Sequence, residues 1–118
     1  MQAKQTGVVW VTNNVRCRLR EIEIPLPSSV DCGKVAQIID DAIAQINLSI
    51  TLRDSLKKFP GCTHWHAKNG RESGTLEVTL WPQKHRAWFT IQNGRSAPWI
   101  AAKLKLMTEF IARRLSDA

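Results

Sequence analysis

Cysteine is scarce in this sequence, with three residues in 118. Cys17, Cys32 and Cys62 are irregularly spaced and form no C-x-x-C pair, so neither a disulfide framework nor a zinc knuckle is expected. Long apolar runs are missing as well. The longest, such as Val8-Val9-Trp10-Val11, fall far short of the ~20 residues that span a bilayer, and the opening Met1–Thr6 is polar rather than signal-like. The expectation is a cytoplasmic chain with no membrane partner. Glycines stand singly at turns, which leaves no phosphate-cradling loop. No repeat, linker or low-complexity tract divides the chain, so residues 1–118 are expected to form one domain.

Positive charge is what the sequence has in excess. Seventeen Lys+Arg stand against 10 Asp+Glu, a net +7, while 43% of the residues are apolar. A chain of this size buries roughly two-thirds of the surface its unfolded form exposes, which suffices for one core. The charge is unevenly placed. Residues 1–59 hold 8 basic and 6 acidic side chains, a net +2, whereas residues 60–118 hold 9 and 4, a net +5. Such a bias fits a negatively charged partner, nucleic acid first.

Hydrophobic periodicity outlines an α+β domain. Gly7–Thr12 and Val15–Leu26 read as the arms of a β-hairpin turning at Asn13-Asn14. In the second arm Val15, Cys17 and Leu19 share one parity and Ile22, Ile24 and Leu26 the other, which requires a bulge near Arg20-Glu21. Pro25 and Pro27 close it. Ser28, with Asp31 three residues on, reads as the cap of a helix of about four turns carrying Val35, Ile38, Ile39, Ala42, Ile43 and Ile46. Thr51 and Asp54 predict a short second helix with Leu52, Leu56 and Phe59 on one stripe, ended by Pro60-Gly61. Leu48, Ile50 and Leu52 also alternate as a strand would.

From Cys62 to Gln92 the period becomes two, and three extended segments separated by Asn69–Gly74 and Pro82–Lys84 form an antiparallel meander. Ser96 as cap and Pro98 in the first turn open a C-terminal helix that runs to about Leu115 and packs on one sheet face. Ile100, Leu104, Met107, Ile111 and Leu115 form its core stripe. Trp99, Leu106 and Phe110 form a second stripe roughly 100° away, a candidate surface for self-assembly or a protein partner.

Strand parity assigns the faces of the meander. Leu76, Val78, Leu80, Ala87, Phe89 and Ile91 point to the core with Trp65 and Ala67. The outer face then collects Cys62, His64, His66, Glu77, Thr79, Trp81, Arg86, Trp88, Thr90 and Gln92. Two tryptophans among basic and hydrogen-bonding neighbours are what a stacking platform for unpaired bases requires. On this reading Trp81 and Trp88 stack bases, Arg86 and Lys84 meet phosphates, His64 and His66 hydrogen-bond or stack, and Lys68, Arg71 and Arg95 reach in from loops. The competing reading covers the same face, with Trp10 and its valines packed over Trp81 and Trp88, or buries it against another chain. Arg16, Arg18 and Arg20 share a parity and make a further basic strip, weakened by Glu21 and Glu23.

The order helix, three antiparallel strands, helix over Asp31–Leu115 resembles the double-stranded-RNA-binding domain. That family opens its last helix on a Lys-Lys-x-Ala-Lys run that contacts phosphates. Here the stretch reads Ser96-Ala97-Pro98-Trp99-Ile100-Ala101-Ala102-Lys103, which retains only Lys103, so membership is not assigned. The aromatic dyads of an RNA-recognition motif are also missing.

Cys62-Thr63-His64-Trp65-His66 is the most chemically suggestive string. Residues two apart in a strand share a face, so the two imidazoles can meet one metal, with Cys62 on the same side and zinc the first choice. Glu77 on the neighbouring strand is the best further donor by parity; His85, in the following turn, is less well placed. A Cys62–His64 nucleophile lacks the supporting parts of a catalytic site. Asp40-Asp41 falls on the polar face of the first helix. The sequence as a whole favours a small non-catalytic module that binds RNA or single-stranded DNA without a cofactor. Its alternatives are a protein-interaction module and a metal-binding protein or small metalloenzyme.

Overall fold

The computed structural model describes residues 19–117. The first arm and turn of the expected hairpin, Trp10, Cys17, Arg16 and Arg18 lie outside them. The described chain runs β1 (Leu19–Ile24), α1 (Cys32–Gln45), β2 (Ser49–Asp54), β3 (Thr63–Lys68), β4 (Leu76–Trp81), β5 (Arg86–Gln92) and α2 (Pro98–Asp117). The strands form one antiparallel sheet in the order β1-β5-β4-β3-β2. The α+β class and the meander are as expected. The sheet is larger than the meander alone, with β1 added at one edge and β2 at the other, which also departs from the order that resembled the RNA-binding domain.

Three local expectations are corrected. β1 pairs with β5 in unbroken register from Leu19↔Gln92 to Ile24↔Ala87, so there is no bulge at Arg20-Glu21. The cap of α1 is Asp31, whose carboxylate accepts the Gly33 N–H at 3.1 Å, rather than Ser28. The segment read as a second helix is β2 followed by a turn. A helix of nine residues is marginal alone, whereas an extended chain at the open edge of β3 finds a row of backbone partners. The one irregularity in the sheet among the described residues lies here, between Ile50 and Leu52. It turns Ile50 and Arg53 toward the helices and Leu52 and Asp54 toward the other face, because Ile50 opposes Ala67 while Leu52 opposes His66.

The core lies between the sheet and the two helices. The inward residues predicted from parity, Trp65, Ala67, Leu76, Val78, Leu80, Ala87, Phe89 and Ile91, are all buried there with Val35, Ile39, Ile43, Met107 and Ile111. Helix α1 ends in a Schellman arrangement. Asn47 adopts φ +62, its N–H meets the Ala44 carbonyl, and the Leu48 N–H meets the Ile43 carbonyl. Lys103 of α2 donates to the Ile46 carbonyl at 2.7 Å, tying the two helices at this point.

The β4–β5 turn is pinned to the entrance of α1 through His85, itself in the left-handed region at φ +52. Its Nε2 donates to the Pro27 carbonyl at 2.8 Å, which leaves Nδ1 bare toward the Cys32 thiol at 3.7 Å. No helix among the described residues is long and apolar enough to cross a membrane.

Candidate metal centre

Register places the outward residues of the sheet in rows. Glu21, Thr90, Glu77, His66 and Leu52 follow one another across β1, β5, β4, β3 and β2, and Glu23, Trp88, Thr79, His64 and Asp54 form the adjacent row. This side is not an open platform. His64 is 5% exposed, Glu77 4% and Trp88 3%. Phe59, from the turn after β2, lies 4.9 Å from the Trp81 ring and edge-on to Trp88 at 5.1 Å. The half-buried Trp81 also donates its indole N–H to the Pro60 carbonyl at 3.0 Å. The stacking surface expected of Trp81 and Trp88 is therefore corrected: both rings pack under this turn, where aromatic burial is worth more than exposure to water.

Where the rows cross β3 and β4, three side chains converge. His64 Nε2 lies 3.2 Å from Glu77 Oε1 and His66 Nε2 lies 3.9 Å from the same oxygen. The three potential ligand atoms all fall within 4.8 Å of one another. A tetrahedral zinc with ligands at about 2.0–2.2 Å separates them by roughly 3.3 Å, so His64 and Glu77 already stand at the right spacing. His66, the most exposed of the three, stands wider, at 3.9 Å from Glu77 Oε1.

A second layer holds this arrangement in place. His64 Nδ1 meets Thr79 Oγ1 at 2.8 Å: with Nε2–H on Glu77 the neutral ring accepts from the hydroxyl, and with Nε2 on a metal Nδ1–H would donate to it. The outer oxygen of Glu77, Oε2, accepts from Gln92 Nε2 at 2.8 Å and Arg95 Nη1 at 3.4 Å. Burial works to raise the Glu77 carboxyl; the hydrogen bond from His64, the two imidazoles and the Gln92 amide outweigh it and hold the group below the ordinary carboxylate range. Burial lowers the His66 imidazole, opposed by Glu77 and aided by His64 and Arg95.

The centre forms the floor of a cavity of about 420 Å³ whose walls include Asp54, Lys58, Phe59, Thr90 and Arg95. A second groove of about 500 Å³ lies between β1 and α2, but Ile24, Phe89, Ile111 and Leu115 make it apolar, and Glu23 is its one titratable group.

The other residues singled out from sequence are dispersed. Cys62 is buried but accepts the Leu56 N–H at 3.3 Å and stands outside the His64, His66, Glu77 group. Arg86 is bound by both oxygens of Glu23, at 2.8 and 3.0 Å, and lies over Trp88 at 4.7 Å. Lys68 closes β3, and Arg71 and Lys84 stand on exposed turns beyond it. Of the second helical stripe, Trp99 is buried with its N–H on the Ser73 carbonyl at 2.8 Å, Phe110 packs against the core, and only Leu106 is exposed. Thr79 and Lys58 were not singled out as functional residues. Parity had put Thr79 on the correct face, whereas nothing in the sequence signalled that the Lys58–Phe59 turn folds over the sheet. Comparison with protein-family models, curated proteins and solved structures gives no match.

Proposed function

We propose that this domain is a metal-binding protein that holds one divalent transition metal, zinc first, through His64 Nε2, His66 Nε2 and Glu77 Oε1. The observation that carries the reading is the convergence of two imidazole nitrogens on one oxygen of a carboxylate that is 4% exposed. A buried carboxylate costs several kcal/mol unless it is compensated; here His64, Gln92 and the half-exposed Arg95 meet it, and Arg95 is the one fixed cation on it among the described residues. A metal ion between the three groups would add to the compensation these partners already give. Two imidazoles and one carboxylate are also the ligand set of catalytic zinc sites, which keep a fourth position for water or substrate.

The test is the zinc content of the purified chain, measured by mass spectrometry after dialysis against trace zinc. One zinc per chain is expected, falling to near zero in the His64→Ala/His66→Ala double variant and in Glu77→Gln. Zinc that stays bound in these variants, or none in the parent, overturns the proposal.

Nucleic-acid binding stands as a second proposal, supported by the net +5 of residues 60–118 and by the exposure of Arg71, Lys84 and Arg95. It rests on surface charge rather than on base stacking. Affinity for a mixed oligonucleotide that falls steeply between 50 and 200 mM salt, on the order of 10³-fold for six phosphate contacts, is the outcome it requires.

A further inference from the structure

We infer that the open side of this centre receives the phosphate group of a small organic phosphomonoester, as the fourth ligand of the metal. The inference rests on the metal reading above and names what the cavity is built to hold. Three protein ligands leave one tetrahedral position, and it faces the cavity because the sheet closes the other side.

Two cations reach this cavity from different loops. Arg95, in the turn after β5, gives one N–H to Glu77 Oε2 at 3.4 Å, and its side chain is 46% exposed, so the rest of the guanidinium fork is available. Lys58, in the turn after β2, sits with its ammonium 5.4 Å from the Phe59 ring and has no carboxylate partner among the described residues. Thr90 is a third donor. It is 7% exposed, it lines the cavity one strand over from Glu77, and its hydroxyl has no hydrogen-bond partner among the described residues. A hydroxyl on the cavity wall can donate to an oxyanion placed there.

Two further acids share the walls and have to be counted. Asp54 accepts the Ser55 N–H at 2.8 Å, and Glu21 stands beyond Thr90 on β1. A divalent ion with Arg95 and Lys58 contributes four positive charges against three from Glu77, Asp54 and Glu21, leaving a net +1 that disfavours a cationic ligand. A neutral ligand leaves Lys58 without a carboxylate partner among the described residues and Arg95 with Glu77 alone. A carboxylate offers two oxygens, and a phosphodiester likewise has two that are not ester-linked. A phosphomonoester has three, enough to meet the metal, the Arg95 fork and the Thr90 or Lys58 donor together. Its organic part then lies against Leu52, Leu56 and Phe59 at the cavity wall.

The probe is phenyl phosphate, titrated calorimetrically into the zinc-loaded chain, with zinc measured in the same samples. One saturable site is expected. Lys58→Gln and Arg95→Gln are each expected to weaken it by about 10-fold or more, as loss of a charge-assisted contact does. Lys58 lies outside the coordination network, so Lys58→Gln should still carry one zinc per chain. A parent chain without zinc overturns both readings. A zinc-loaded chain with no saturable phenyl phosphate site, or with affinity unchanged in both variants, overturns this inference and leaves the metal reading standing.

Discussion

At the scale of single residues, the account turns on a histidine held by a threonine. Thr79 is almost fully buried and contributes only a hydroxyl to the site, through its 2.8 Å contact with His64 Nδ1. Thr79→Val keeps the shape and removes the partner that fixes the imidazole tautomer. The expected outcome is a 10- to 100-fold loss of zinc affinity, the usual effect of losing a partner of this kind, measured by competition with a chromophoric chelator. The nearness of Glu77 to the two histidines was legible because residues opposite each other on neighbouring strands share a face, and His66↔Glu77 is such a pair. Cys62 shares that parity, yet it lies just before β3, where the chain leaves the sheet and its sulfur serves the turn at Leu56. The burial of Trp88 was not legible. Its cover includes Phe59, whose position depends on a turn that no local pattern encodes.

At the scale of elements, competition between local propensity and tertiary pairing decides β2. The stripe Leu52, Leu56 and Phe59 favoured a helix; the open edge of β3 and the contacts of Arg53 favoured a strand. Arg53 meets Asp40 of α1 at 3.3 Å and lies 5.4 Å from the Trp65 ring, and these contacts need the extended register. Two predictions belong here. Gly74, just before β4, has φ +99, and an added Cβ would stand 2.6 Å from that of Ala97. Gly74→Ala should therefore destabilise the fold by at least about 1 kcal/mol in chemical denaturation, from backbone strain and overlap together.

The tie between α1 and α2 titrates. Hydrogen bonds from Gln37 and Arg114 hold the Asp41 carboxyl below its ordinary range. A depressed folded-state pKa contributes stability above the unfolded value, near 3.9, that is lost as pH falls through the folded one. Asp41→Asn should therefore flatten this part of the acid limb of the stability profile. The change should be small because the pair is solvent-exposed.

At the scale of the whole molecule, the hydrophobic core and the metal centre occupy opposite faces of the same sheet. Helices and inner sheet face make their own core, so folding is expected not to depend on the proposed ion. A chelator should leave the far-ultraviolet spectrum intact. Zinc should raise the thermal midpoint by several degrees, since a ligand at 100 times its dissociation constant adds about 2.7 kcal/mol. Class, core face and ligand strand were readable because they follow from periodicities of 3.6 and 2 along the chain. What covers the outer face follows from long-range packing and was not. Arg95, from the basic second half of the chain, and Lys58 both line the cavity, together with Asp54 and Glu21.

The most direct test of the central claim is X-ray absorption at the zinc K edge of the chain loaded with one equivalent of zinc. The account predicts two imidazole shells and one carboxylate oxygen at about 2.0–2.1 Å, with a further light atom in the fourth position. A sulfur shell near 2.3 Å, which would place Cys62 on the metal, or a spectrum with fewer than two imidazoles, would contradict it.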